Sequence, residues 1–305
     1  SGDRMYGIYL CKQAQDATAN TGRSYKNVVI QDKTGTMDGK IWEPDDMAIS
    51  TFDALDYIEV QGEVSTYQGK LQVSIRRVRC ATEFEYDPAD YLPVSSKNID
   101  LMFQELNGFI SRVENKWLRK LLESFFQDDA AFVKKFKASS AAKTVHHGFV
   151  GGLLEHTLSV TKLCDYFCNA YPILNRDLLI TAAICHDIGK TQELSAFPAN
   201  DFTDDGQLLG HIMIGAEMIG RKAGQIPGFP AVLESELKHC ILANHGEYTF
   251  GSPKKPALIE ALALNLADNA DSKIELFTEA VSGAKDDSWL GFNRFLDSNI
   301  RKTIG

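Results

Sequence analysis

Cys185-His186-Asp187-Ile188-Gly189-Lys190 closes an apolar run that begins at Leu178, and it sets an imidazole beside a carboxylate at a predicted helix end. Adjacent helical residues point about 100° apart, so both reach one cation only when it lies beside the terminus. Gly189 reads as a helix stop, and the partly negative C-terminal end of a helix favours a cation there. Outward from this pair, further ligand candidates recur about once per predicted helix. His156 lies 30 residues before His186, His211 lies 24 after Asp187, His245 is 34 further on, and Asp268 another 23. Metal sites in helical bundles are built from side chains projecting inward from several helices, as this spacing permits. Taken singly, His156 among Leu153, Leu154 and Leu158 reads as a core histidine, and Asp268 as a partner for a nearby base. The ordered set carries the metal reading. His nitrogen and Asp oxygen suit Mn²⁺, Fe²⁺, Co²⁺ or Zn²⁺, and the lack of a Cys ligand set argues against a structural zinc site.

All seven histidines (His146, His147, His156, His186, His211, His239 and His245) fall between residues 146 and 245. The helical period extends across this region. Ile99, Phe103, Leu106 and Ile110 share one face, Trp117, Leu121, Leu122 and Phe125 continue the pattern, and Ser95, Ser96 or Asn98 can cap it. Later helices are expected over Gly152–Ala170, Asp177–His186, Leu209–Ala223, Ala231–Ala243, Ala257–Phe277 and Trp289–Ile300.

Toward the N-terminus the pattern changes. Tyr6–Cys11, Lys26–Gln31, Gly39–Trp42, Tyr57–Val64 and Leu71–Arg79 read as short strands. Turn signals stand between them at Thr21-Gly22, Asp32-Lys33-Thr34-Gly35, Asp38-Gly39 and Gln68-Gly69. Five strands in about 80 residues indicate a small closed or nearly closed barrel. Asp87-Pro88 and Leu92-Pro93 break the pattern, because proline restricts the residue before it. The expected division is therefore a barrel over 1–85, a linker over 86–97 and a helical domain over 98–305.

The chain of 305 residues is 44% hydrophobic and 24% charged, ordinary for a globular protein of about two domains. The longest apolar run, about Leu178–Cys185, falls well short of the roughly 18 residues a membrane helix needs, and a membrane partner is excluded. No signal-peptide pattern is legible. The six cysteines lack a C-x-x-C pair or a dense small-domain pattern, so reduced thiols and a cytoplasmic location are expected. A net charge of −9 rules out a broadly basic coat for nucleic acid. Residues 1–80 carry 10 basic and 11 acidic groups, and the remainder 22 and 30, so the negative excess belongs to the helical part, where carboxylates call for cations.

The order His156, His186-Asp187, Asp268 resembles the H…HD…D pattern of the HD-domain superfamily of metal-dependent phosphohydrolases. Longer strings narrow the likeness: Val145-His146-His147-Gly148, Gly151-Gly152-Leu153-Leu154-Glu155-His156-Thr157, Gly210-His211-Ile212, and His245-Gly246-Glu247 with Gly251-Ser252-Pro253. With the N-terminal barrel and its Asp32-Lys33-Thr34-Gly35 turn, nearly the whole chain resembles the YhaM-type 3′→5′ exoribonucleases of Gram-positive bacteria. That resemblance implies a five-stranded OB-type β-barrel followed by an all-α HD-domain bundle. It also implies Mn²⁺-dependent release of 5′-mononucleotides from single-stranded RNA, with single-stranded DNA as a second substrate. Of two divalent ions, one would be held by His156, His186, Asp187 and Asp268, and the other by the shared Asp187 with His211 and His245. It implies a His-His pair where this chain has Asn244-His245.

Hydrolysis of a phosphodiester needs a nucleophile at neutral pH and neutralisation of phosphate charge, which two cations supply through an activated hydroxide. Lys190, three residues after Asp187, is placed to stabilise a non-bridging oxygen, and His147 to contact the phosphate or leaving group. His146 and His239 fall outside the one-per-helix pattern. Asp271, one turn after Asp268, is a candidate for orienting a ligand or touching the terminal ribose. In the barrel, stacking aromatics and backbone-tracking cations are expected among Tyr9, Lys12, Arg23, Tyr25, Lys40, Trp42, Tyr67, Lys70 and Arg76. Two other function classes fit parts of the pattern: an HD-type hydrolase of small nucleotides, and a non-enzymatic nucleic-acid-binding protein with a relic metal site. Assembly into a homo-oligomer is left open.

Overall fold

The computed structural model describes residues 2–19, 22–67, 69–87, 90–143, 147–282 and 289–303. Thr21, Gln68, Pro88, Val145 and His146, named above, lie outside them. The chain divides into two compact units, Ser1–Pro93 and Val94–Gly305.

In the first unit, β1 (Arg4–Thr18), β2 (Ser24–Asp32), β3 (Gly35–Ile41), β4 (Tyr57–Tyr67) and β5 (Lys70–Cys80) close into a barrel in the order β1-β2-β3-β5-β4. All neighbours are antiparallel except the pair β3–β5. This is the OB arrangement, and closure leaves no sheet edge unpaired. Alternation sends Val28, Ile30, Ile58, Val60, Val73 and Ile75 inward, where all are buried. The Asp32 carboxylate accepts the Thr34 backbone N–H at 2.7 Å and makes the expected turn between β2 and β3. Asp38-Gly39 is not a turn. Gly39 lies within β3 opposite Val28, and a Cβ there would come within 2.8 Å of the Val28 side chain. The glycine marks a crowded barrel interior.

Described residues within the expected linker over 86–97 make defined contacts. Tyr86 stacks on Tyr57 at 3.9 Å, Tyr91 meets Tyr57 edge-on, and the Lys33 N–H donates to the Asp90 carbonyl at 2.8 Å. From Val94 onward the chain belongs to the second unit, where the Ser95 N–H donates to the Val150 carbonyl.

The second unit is built from α1 (Ile99–Ser111), α2 (Lys116–Phe126), α3 (Ala130–Ala138), α4 (Gly152–Ala170), α5 (Arg176–Cys185), α6 (Lys190–Glu193), α7 (Asp204–Leu208), α8 (Gly210–Gln225), α9 (Ala231–Leu242) and α10 (Ile259–Ser282). Asn98, Asn115, Asp129 and Asn175 cap α1, α2, α3 and α5 by accepting first-turn N–H groups. Helix α3 escapes the sequence reading because it is short; Phe132 and Phe136 join Phe125 and Phe126 in an aromatic cluster with centroids 5.1 to 6.3 Å apart. Residues Leu178 to Cys185 of α5 are all buried, which makes it the central helix. No described helix is long and apolar enough to cross a membrane.

The helix expected over Trp289–Ile300 is instead a hairpin, β6 (Trp289–Asn293) and β7 (Ser298–Arg301). The Asn293 side chain accepts the N–H groups of Phe295 and Leu296, and Asp297 takes a left-handed φ of 48°. A local Asx turn therefore wins over the helical spacing of the apolar residues.

Candidate metal centre

Four histidines reach the centre from four elements, and each has its Nδ1 held by the protein. His156 on α4 bonds through Nδ1 to Asp271 Oδ2 on α10 at 2.7 Å, while Ser159 donates to the other Asp271 oxygen. His186, just past α5, uses Nδ1 on the Ala183 carbonyl at 2.8 Å. His211 on α8 uses Nδ1 on Glu193 Oε1 at 2.9 Å, and His245, beyond α9, uses Nδ1 on the Phe250 carbonyl at 3.0 Å. Each carboxylate or carbonyl partner accepts, so each Nδ1 carries a hydrogen and Nε2 is the nitrogen left to bind a metal once any proton on it is lost. That is the arrangement a metal-binding imidazole requires.

The Nε2 atoms of His156, His186 and His211 converge on two carboxylates. His156 Nε2 lies 3.1 Å from His186 Nε2, 3.1 Å from Asp268 Oδ1 and 3.5 Å from Asp187 Oδ2. His186 Nε2 is 3.3 Å from the same Asp187 oxygen. The 3.1 Å spacing of the two Nε2 atoms suits neighbouring ligands at about 2.1 Å from one ion. On the other side of Asp187, Oδ1 is 3.6 Å from His211 Nε2, which is buried without a hydrogen-bond partner among the described residues. The rings of His211 and His245 are 5.3 Å apart. Asp187 thus faces imidazoles through both oxygens, and the residue types fit divalent ions.

Gly189 explains how His211 arrives. It is not a left-handed helix stop, since its φ is −61°. A Cβ on it would lie 1.9 Å from the His211 carbonyl oxygen, so only glycine lets the Asp187–Lys190 turn press on the start of α8.

Charge at the centre is mutually compensated. Burial opposes ionisation of Asp187, yet Lys190, His186 and His211 hold its carboxyl well below the usual range. Asp268, also opposed by burial, is lowered to about 2, chiefly by His156. Burial would lower His156, but the Asp268 and Asp271 carboxylates raise it to about 10. His245 is lowered by burial and by His211.

Lys190 points at the centre, with Nζ 2.7 Å from Asp187 Oδ2. His147 is buried, holds a left-handed φ of 59°, and has its Nε2 3.4 Å from Asp271 Oδ2. His239 stands apart as a structural residue whose Nε2 accepts the Ala257 N–H. The sequence reading misses Glu193, whose four-residue helix has no periodicity to betray it. Asn244 donates to Asp268 Oδ2 at 3.0 Å, so it supports one carboxylate of the centre.

The barrel candidates separate. Tyr25 and Trp42 stand 5.2 Å apart on β2 and just after β3, with the Lys40 ammonium 4.7 Å over the first ring and 5.2 Å over the second. A cavity of about 530 Å³ opens beside Tyr25. Arg23 is paired with Glu43 and Arg76 with Glu63. Tyr9 packs against the barrel core. Lys12, Tyr67 and Lys70 are exposed and lie outside the Tyr25–Trp42 cluster.

Residues 153–273 match the HD domain family. A 3′-5′ exoribonuclease YhaM of Geobacillus sp. (strain WCH70) is 32% identical over 289 residues, covering 93% of this chain and 87% of that protein. Its namesake in Listeria monocytogenes serotype 4b (strain CLIP80459) is 30% identical over 290 residues, covering 93% and 90%. A solved replication protein A heterotrimer bound to ssDNA is similar over 28% of this chain and 61% of its own, at 16% identity and a TM-score of 0.22. With an HD-domain match after a closed five-stranded barrel, and relatives of this identity along nearly its full length, the chain belongs to the YhaM family of 3′-5′ exoribonucleases.

Proposed function

We propose that the protein removes 5′-mononucleotides from the 3′ end of single-stranded RNA, and of single-stranded DNA as a second substrate, using two Mn²⁺ ions. The observation that carries this is the set of four imidazoles anchored at Nδ1, three of which, His156, His186 and His211, place Nε2 3.3 to 3.6 Å from Asp187. His156, His186, Asp187 and Asp268 hold one ion; Asp187, His211 and His245 hold the other. When bound, such ions supply an activated water and neutralise charge on the scissile phosphate.

The remaining roles belong to the chain itself. Lys190, its ammonium already beside Asp187, extends to a non-bridging phosphate oxygen when the strand arrives. Its charge is secure, because burial is outweighed by the Asp187 carboxylate and its pKa stays above the ordinary lysine value. His147, buried with neither ring nitrogen hydrogen-bonded among the described residues, supplies a contact to the phosphate or leaving group. Tyr25 and Trp42 stack bases while Lys40 meets the backbone. All six cysteines are free thiols, which supports a cytoplasmic location. Self-association into a homo-oligomer is compatible with this reading.

The test is direct. With Mn²⁺, the purified protein releases mononucleotides from a 3′-hydroxyl strand, and Asp187→Ala abolishes release while leaving far-UV circular dichroism unchanged. Release that survives the substitution overturns the two-ion reading.

A further inference from the structure

Beside the centre lies a cavity of about 430 Å³ whose wall includes His245 and Asp268, two of the proposed metal ligands. Its lining includes the apolar Phe250 from the loop after α9, and Leu262, Asn269 and Lys273 from one face of α10. Phe250 is 70% exposed, an unusual state for a phenyl ring bordering a charged centre. Its backbone is not loose: the Phe250 carbonyl accepts from His245 Nδ1. Asn265 Nδ2 donates to the Asn244 carbonyl at 2.7 Å and ties the loop to α10. Lys273 is exposed and forms no ion pair with a described residue. The loop backbone that carries Phe250 is thus held in place, and the cavity offers an aromatic ring, an amide, a cation without an ion pair among the described residues, and a volume in the range of small-molecule sites.

We infer that this cavity seats the 3′-terminal nucleoside of the strand, with its base stacked on Phe250. This assignment rests on the exonuclease reading above. A planar base suits Phe250 and Leu262, a ribose hydroxyl suits Asn269, and the Lys273 ammonium suits a phosphate. With the scissile phosphate at His245 and Asp268, the cavity takes the leaving nucleotide, and its size admits one.

The experiment compares two single strands that differ only at the 3′ end, one with an ordinary terminal nucleotide and one with an abasic residue. Release of the last residue is measured with Mn²⁺ for the full chain and for Phe250→Ala, with Phe250→Trp as the conservative control. Base stacking of this kind amounts to about 5- to 100-fold. Phe250→Ala is expected to lower kcat/KM by about that factor on the ordinary strand, mostly through KM, and Phe250→Trp to restore it. On the abasic strand Phe250→Ala should cause no further loss. Equal losses on both strands, or none on either, overturn the assignment while leaving the exonuclease reading in place. A full chain that releases nothing from the ordinary 3′ end overturns both. Because the substituted side chain is mostly exposed and the carbonyl that holds His245 is retained, misfolding does not mimic the expected pattern.

Discussion

Glu193 holds His211 twice through one oxygen: Oε1 accepts the imidazole Nδ1–H at 2.9 Å and the His211 backbone N–H at 3.0 Å. The carboxylate is kept ionised, since burial is outweighed by His211 and Lys190. Partners of this kind typically contribute about 10- to 100-fold to metal affinity. Glu193→Ala should therefore weaken one of two Mn²⁺ binding steps by about that factor and spare the other, as read by calorimetric titration. Two unchanged steps would remove Glu193 from the centre.

Gly189→Ala tests how tightly the ligand-bearing elements are joined. The added methyl would meet the His211 carbonyl at 1.9 Å, and the backbone must move to admit it. Overpacking of this type costs about 1–3 kcal/mol or more. A drop of several degrees in melting temperature is expected, with loss of activity beyond what the stability change explains. An unchanged melting curve and rate would show that the contact is easily relieved.

Protons and metal ions compete for His156. After removal of metal with a chelator, this imidazole titrates at about 10, because Asp268 and Asp271 overcome the burial that would lower it. At pH 8 it carries a proton, which metal uptake must expel. Mn²⁺ affinity should therefore rise with pH, by up to about tenfold per unit below that value. Calorimetry in two buffers of different ionisation enthalpy should count about one proton released from this ring when its own site is filled. Uptake without proton release would contradict the assignment of His156 as a ligand.

In the barrel, Trp42→Ala removes one ring from beneath Lys40. A stacked base is worth about 1–3 kcal/mol. Fluorescence anisotropy should show weaker binding of a long single strand by about 5- to 100-fold, with hydrolysis of a dinucleotide unaffected. Equal losses on both substrates would place Trp42 outside the strand-binding surface.

Where a signal is local and repeated, the sequence is legible. The apolar spacing of α4 gives its bounds, and alternation of buried and exposed residues marks all five barrel strands. The six ligand candidates are legible because each sits on a helix or within three residues of its end, at ordinary helix-to-helix spacing. The supports are harder to see. Glu193 belongs to a single helical turn, and its role comes only from the fold that brings α8 against it. Gly189 looks like a helix terminator because its use, the approach of His211, lies 22 residues away. Trp289–Ile300 shows helical spacing, but one asparagine side chain redirects the backbone. Asp271 is visible as a candidate one turn after Asp268, and only the partner at its far side shows that it orients His156.

The Nδ1 anchors follow one another along the chain as Ala183, Glu193, Phe250 and Asp271. A ribosome therefore delivers every histidine of the centre before it delivers Asp268 and Asp271, both on α10. Until that helix emerges, the nascent chain holds imidazoles whose central member, His156, has neither its orienting carboxylate nor its co-ligand. Helix α10, the last of the elements that build the centre to be synthesised, is therefore the one that completes it.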